Sequence, residues 1–216
     1  QVAGQVTFFC IGTGNEAASA GHTSGRIISE GEETIQLAIQ SRQSSISIQI
    51  WKEYTDQIEI SIINPSGVRV GPVPEILGPH RFRIGQTEIL LYYGEPSPYS
   101  ISQEIYIDLL PVESYLTEGI WRIVLSAGKI VTGQYEMWLP SDNVLNRGTG
   151  FLFPTDATTL TIPSSASRAI SVGAYDARTF AYADFSGRGP AGMYEGENVL
   201  KPDIAAPGVR VTAPVP

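Results

Sequence analysis

The stretch from Ala181 to Val209, AYADFSGRGPAGMYEGENVLKPDIAAPGV, decides how the rest of the chain is read. Two short phrases punctuate it. The first is Phe185-Ser186-Gly187-Arg188-Gly189-Pro190. The second is Lys201-Pro202-Asp203-Ile204-Ala205-Ala206-Pro207-Gly208-Val209. Tyr182 to Phe185 reads as a short strand, and Asp203 to Pro207 as an extended approach segment. Pro202 and Pro207 fix φ along that approach, so their role is to hold a backbone path. Lys201 and Asp203 read as structural polar contacts and not as an acid–base pair. Immediately upstream, Ala169 to Ala174 reads as a core strand.

The two phrases, in this order and at this spacing, resemble the subtilisin-like serine proteases (subtilases). In that family F-S-x-R-G-P is followed by K-P-D-[IV]-x-A-P-G-V. A third phrase fits the same pattern, from Ile162-Pro163-Ser164 to Val172-Gly173-Ala174-Tyr175-Asp176. The resemblance implies an α/β catalytic domain with a parallel sheet, an endopeptidase activity through Ser-His-Asp chemistry, and a protein or peptide substrate. The family's nucleophile phrase would follow Val209, and its catalytic Asp and His phrases would precede the first residue. The expectation is therefore an internal piece of a subtilase, inactive by itself because it has no nucleophile–base pair. With a broken triad the parent would instead be a pseudoprotease acting in regulation or assembly.

Near the start, Val6 to Ile11 is a short apolar run that reads as a buried strand of a parallel sheet. It ends in Gly12-Thr13-Gly14-Asn15-Glu16. From the residues alone, Gly14-Asn15 is a turn at a strand end, since both tolerate positive φ. By resemblance, Asn15 is the oxyanion-hole side chain. Attack on a peptide carbonyl moves negative charge onto its oxygen, and a fixed N–H donor aimed there stabilises the transition state more than the ground state. An amide donates without titrating. The same resemblance makes the backbone of Gly12, Thr13 and Gly14 a substrate-binding wall of the S1 pocket. His22 follows Asn15, whereas the family's catalytic His precedes it, so no catalytic role is expected for His22. His80 reads as a loop residue. Cys10, the single cysteine, excludes an internal disulfide and reads as a small buried hydrophobe.

From about residue 25 the pattern changes to strict alternation. Ile46, Ile48 and Ile50 alternate with polar residues, as do Ile58, Ile60 and Ile62. Ile105, Ile107 and Leu109 continue the pattern, then Trp121, Ile123 and Leu125, then Tyr135, Met137 and Leu139. Ile89 and Leu91 are flanked by Leu90 and Tyr92, which reads as a strand buried on both faces. Period-two patterning means strands with one buried face. Turn phrases such as Asn64-Pro65-Ser66-Gly67 and Gly94-Glu95-Pro96 separate them. About eight such strands predict an antiparallel β-sandwich or jelly roll.

This places subtilase core at 1–24 and 146–216, and an inserted jelly-roll domain at 25–145. The fold expected is mainly β, a partial α/β parallel sheet with an antiparallel insert. A subtilase with such an insert, joined back through Trp138-Leu139-Pro140-Ser141, resembles the clostridial Csp-type subtilases. That narrower resemblance implies processing of another protein during spore germination, and a spore-associated or secreted parent.

Composition closes other routes. The net charge of −8 argues against nucleic-acid binding. No apolar run approaches the ~18 residues of a membrane span. No zinc spacing, phosphate loop or calcium loop is present, so no cofactor is expected, with a structural calcium left open but unassigned. The insert's Tyr and Trp residues read as sandwich core, with a protein- or glycan-binding module as the alternative. Exposed sheet edges would allow self-association, which sedimentation would detect.

Overall fold

The computed structural model describes residues 8–141, 144–190 and 200–212. Among the described residues every regular element is a strand and none is a helix. The strands are β1 (Cys10–Gly12), β2 (His22–Arg26), β3 (Glu32–Ile39), β4 (Ile46–Glu53), β5 (Ile58–Ile63), β6 (Arg69–Val73) and β7 (Gly78–Ile84). They continue with β8 (Thr87–Tyr93), β9 (Ser102–Pro111), β10 (Gly119–Ala127), β11 (Gln134–Trp138), β12 (Gly150–Phe151), β13 (Ile170–Tyr175) and β14 (Ile204–Pro207). The chain forms two compact units: Gln1–Ser19 with Asp156–Pro216, and Ala20–Thr155 between them.

The middle unit holds two antiparallel sheets, ordered β12-β3-β10-β5-β6 and β2-β11-β4-β9-β8-β7. Alternation explains why they share one core. Ile46, Ile48 and Ile50 of β4 bury alternate side chains, as do Ile105, Ile107 and Leu109 of β9, which pairs with it. From the other sheet come Leu37, Ile60, Trp121, Ile123 and Leu125. Removing such side chains from water is the main favourable term for this unit.

β8 departs from the sequence reading. Ile89, Leu91 and Tyr93 are buried, but Leu90 is only half-buried and Tyr92 is 44% exposed, so one face is open. His80 lies inside edge strand β7 and not in a loop. There the half-buried His80 and Phe82 and the buried Ile84 alternate with exposed Arg81 and Arg83, while Pro79 suits an edge.

One end of the core is polar and fully satisfied. Asp56 is completely buried and accepts hydrogen bonds from Val131 N (2.5 Å), Thr132 N (3.0 Å), Thr132 Oγ1 (2.8 Å) and Gly133 N (2.8 Å). Lys52, also buried, donates to Asp56 O (2.5 Å) and Gln103 Oε1 (2.7 Å) and lies 3.3 Å from Glu75. Burial lowers the Lys52 pKa, against the pull of Glu75 and Asp56.

Burial acts to raise the Asp56 pKa, but the four donors outweigh it and hold the group below 3.8. A depressed folded-state pKa contributes stability above 3.8 that is lost as pH falls through the folded value. Asp56→Asn is expected to cost about 1–3 kcal/mol near neutral pH, because donors aimed at a carboxylate lose acceptors. Denaturant midpoints of both forms, measured against pH, should converge below pH 3.8. A constant gap down to pH 2 would contradict this account.

The two ends of the middle unit are stitched together. Phe151 N donates to Ala20 O (2.8 Å), Thr155 N to His22 O (2.9 Å) and Thr23 Oγ1 to Phe153 O (2.8 Å). His22 is buried between Glu136, 2.6 Å from its Nε2, and Thr155, whose Oγ1 lies 2.9 Å from its Nδ1.

The outer unit is built on a parallel sheet ordered β1-β13-β14. Three corrections fall here. The first strand is Cys10–Gly12, shifted towards the C-terminus, and Val6 and Thr7 lie outside the described residues. Cys10 is exposed and not a buried hydrophobe, because β1 is an edge strand with little covering its faces. Tyr182 to Phe185 forms only a single bridge, Tyr175↔Tyr182, since Ser186 N turns back onto Ala183 O (3.0 Å).

Candidate functional site

The site is the loop leaving β1. Thr13 prolongs the parallel ladder, donating its N–H to Val172 O (3.1 Å). Its side chain is buried, with Oγ1 3.0 Å from Ser186 Oγ. Gly14 takes φ +88°, and a Cβ there would collide with the Thr161 side chain. The backbone thus turns out of the sheet where only glycine fits, and Asn15 follows on a bend. Asn15 is exposed, and its carboxamide bonds to none of the described residues, which leaves its N–H donors available. Gly12 is exposed with open space on its Cβ side.

The Phe185–Pro190 phrase lies along this loop. Ala17 N donates to Phe185 O (3.2 Å) and Gly187 N to Gly14 O (3.1 Å). Gly187 is packed so closely on the Thr13 carbonyl that a Cβ would collide with it. Arg188 pairs with Asp156 and sits 5.7 Å above the Tyr182 ring.

The Lys201–Val209 phrase is anchored to β13. Lys201 Nζ donates to Ala169 O (2.5 Å) and Asp203 Oδ2 (2.7 Å). The same Asp203 oxygen accepts from Ser171 N (2.6 Å) and Ser171 Oγ (2.8 Å). The Lys201 hydrogen bond, with those from Ser171, holds the Asp203 carboxyl down to about 2. These residues clamp the start of β14 in register with β13, which leaves them no free acid–base role.

The sign for Asp203 follows from that depression: its contribution is present above pH 3.8 and fades as pH falls toward 2. Asp203→Asn should lower the thermal midpoint of the outer unit at pH 7 and flatten its acid limb. An unchanged acid limb would count against the clamp.

The sequence marked Asn15 and its neighbours but not the Thr13–Ser186 contact. The two residues stand 173 positions apart, and only the fold brings them together. Among the described residues no cluster of three or more His, Cys, Asp or Glu could hold a metal ion.

The model of the subtilase family matches residues 119–215. No curated protein matches the chain. Among solved structures, the CspB protease of Clostridium perfringens is similar, with 31% sequence identity and a TM-score of 0.85. The similarity covers 93% of this chain and 41% of that one, so the chain spans less than half the length of that protease.

Proposed function

The chain is a relative of the subtilisin-like serine proteases, and on that premise we propose that it is the middle part of a serine endopeptidase. The reading rests chiefly on the match to a protease over 93% of the chain. In it, the outer unit belongs to an α/β catalytic core and Ala20–Thr155 is an inserted domain. Insertion requires entry and exit to lie side by side, as the bonds of Ala20 and His22 to Phe151 and Thr155 provide.

The parent's serine, lying outside this chain, attacks a peptide carbonyl. Asn15 donates its side-chain N–H to the oxygen as charge develops, with a backbone N–H as second donor. The exposed carboxamide and the positive-φ turn at Gly14 support that role. The Gly12–Gly14 backbone lines the S1 side of the cleft, and the substrate is a protein or peptide.

The test uses a fluorophosphonate probe on two samples. The full-length parent should be labelled stoichiometrically, and this chain alone not at all, because on this reading the catalytic serine lies outside it. Labelling of the chain alone, or none of the parent, would overturn the reading. The second outcome would favour a pseudoprotease.

A further inference from the structure

Ser186 is almost completely buried and its hydroxyl stands among three polar groups. Its Oγ lies 3.0 Å from Thr13 Oγ1, 2.8 Å from Ala174 N and 3.2 Å from the Tyr182 hydroxyl. The Tyr182 hydroxyl in turn donates to Gly187 O (3.0 Å). The direction of the chain follows by elimination. A backbone carbonyl only accepts, so the Tyr182 proton points to Gly187. The Ser186 proton then points to the Tyr182 oxygen, and Thr13 must donate to Ser186. Ser186 therefore uses its single donor and accepts twice, from Thr13 and Ala174, which fills its capacity.

The two ends of this chain grip the same loop. Thr13 lies two residues before Asn15 and is held through its hydroxyl. Gly187, held by Tyr182, donates its N–H to Gly14 O, one residue before Asn15. Ala174 N–H ties the assembly to β13. Bonds of one direction polarise one another, so the loss of one weakens the rest.

We propose that Ser186 is the positioning residue of the oxyanion loop: through Thr13 on one side and Tyr182–Gly187–Gly14 on the other, it fixes the backbone that presents Asn15. The proposal rests on the reading of Asn15 as the oxyanion donor. It gives the serine of the F-S-G-R-G-P phrase a task in the reaction, although it touches no substrate.

The test combines two readouts. In the chain as it stands, Ser186→Ala should shift the backbone amide resonances of Gly14 and Asn15 in 1H–15N spectra. In the full-length parent, Ser186→Ala should lower kcat by about 10–100-fold with KM nearly unchanged, as expected for a donor misplaced by a fraction of an ångström to one ångström. Tyr182→Phe, milder for folding because the ring remains, should act in the same direction but less. In an Asn15→Ala background, Ser186→Ala should cost almost nothing more in kcat, because its effect passes through Asn15.

Unmoved Gly14 and Asn15 resonances would overturn the proposal. So would an equal loss of kcat in both backgrounds. If Asn15→Ala lowers kcat while Ser186→Ala and Tyr182→Phe do not, the positioning role falls and the oxyanion reading stands. If Asn15→Ala itself leaves kcat unchanged, both fall.

Discussion

Asn15→Ala in the full-length parent is expected to lower kcat by roughly 10²–10³-fold while KM barely moves. The split follows from where the charge is. In the Michaelis complex the substrate carbonyl is neutral, and one more hydrogen bond adds little to binding. In the tetrahedral transition state its oxygen carries nearly a full charge inside a water-poor cleft, where a fixed donor counts for far more. The magnitude is that established on the oxyanion asparagine of subtilisin itself, and is carried over here by kinship. Asn15→Asp should be at least as damaging at neutral pH, because it replaces a donor by a negative charge. Steady-state kinetics on a peptide substrate reads both. A rise in KM with kcat intact would make Asn15 a substrate-binding residue and not an oxyanion donor.

Trp121→Ala is expected to destabilise the middle unit by about 3–5 kcal/mol. Trp121 is fully buried in β10, the strand flanked by β3 and β5, and its Nε1 donates to Thr117 O at 2.9 Å. Truncation removes the largest buried side chain among the described residues and opens a cavity. The backbone ladder on both sides of β10 prevents much collapse into the space. Denaturant unfolding of the chain measures the loss. A value below about 1.5 kcal/mol, the range of volume-conserving swaps, would mean that β10 is not the centre of its sheet.

The sandwich strands were readable because their chemistry is periodic. Ile46–Ile50, Ile105–Leu109 and Trp121–Leu125 announce a buried face by alternation alone, and each lies in a strand with that face inward. The edge strands were not readable, because an edge needs no continuous apolar face. In β2, residues His22–Arg26 hold no aliphatic side chain, and β6 includes Gly71 and Pro72. Leu90 and Tyr92 look like core residues, yet they face the open side of β8. Apolar character permits burial but does not require it.

In the outer unit, the family phrases located the loop and its neighbours without revealing how they interlock. Ser186 and Thr13 are ordinary hydroxyl residues whose role comes from a partner far along the chain. No local pattern encodes such a contact. The carboxylate of Asp203 was readable as structural, since the Lys-Pro-Asp phrase joins an opposite charge to a fixed φ.

The most direct test of the account is a crystal structure of the full-length parent with a peptidyl phosphonate bound to its serine. The phosphonyl oxygen then stands where the oxyanion forms. The account predicts Asn15 Nδ2 about 2.7–3.1 Å from that oxygen, with a backbone N–H completing the pair. An adduct whose oxygen lies out of hydrogen-bond reach of Asn15, or a serine that forms no adduct, would contradict it.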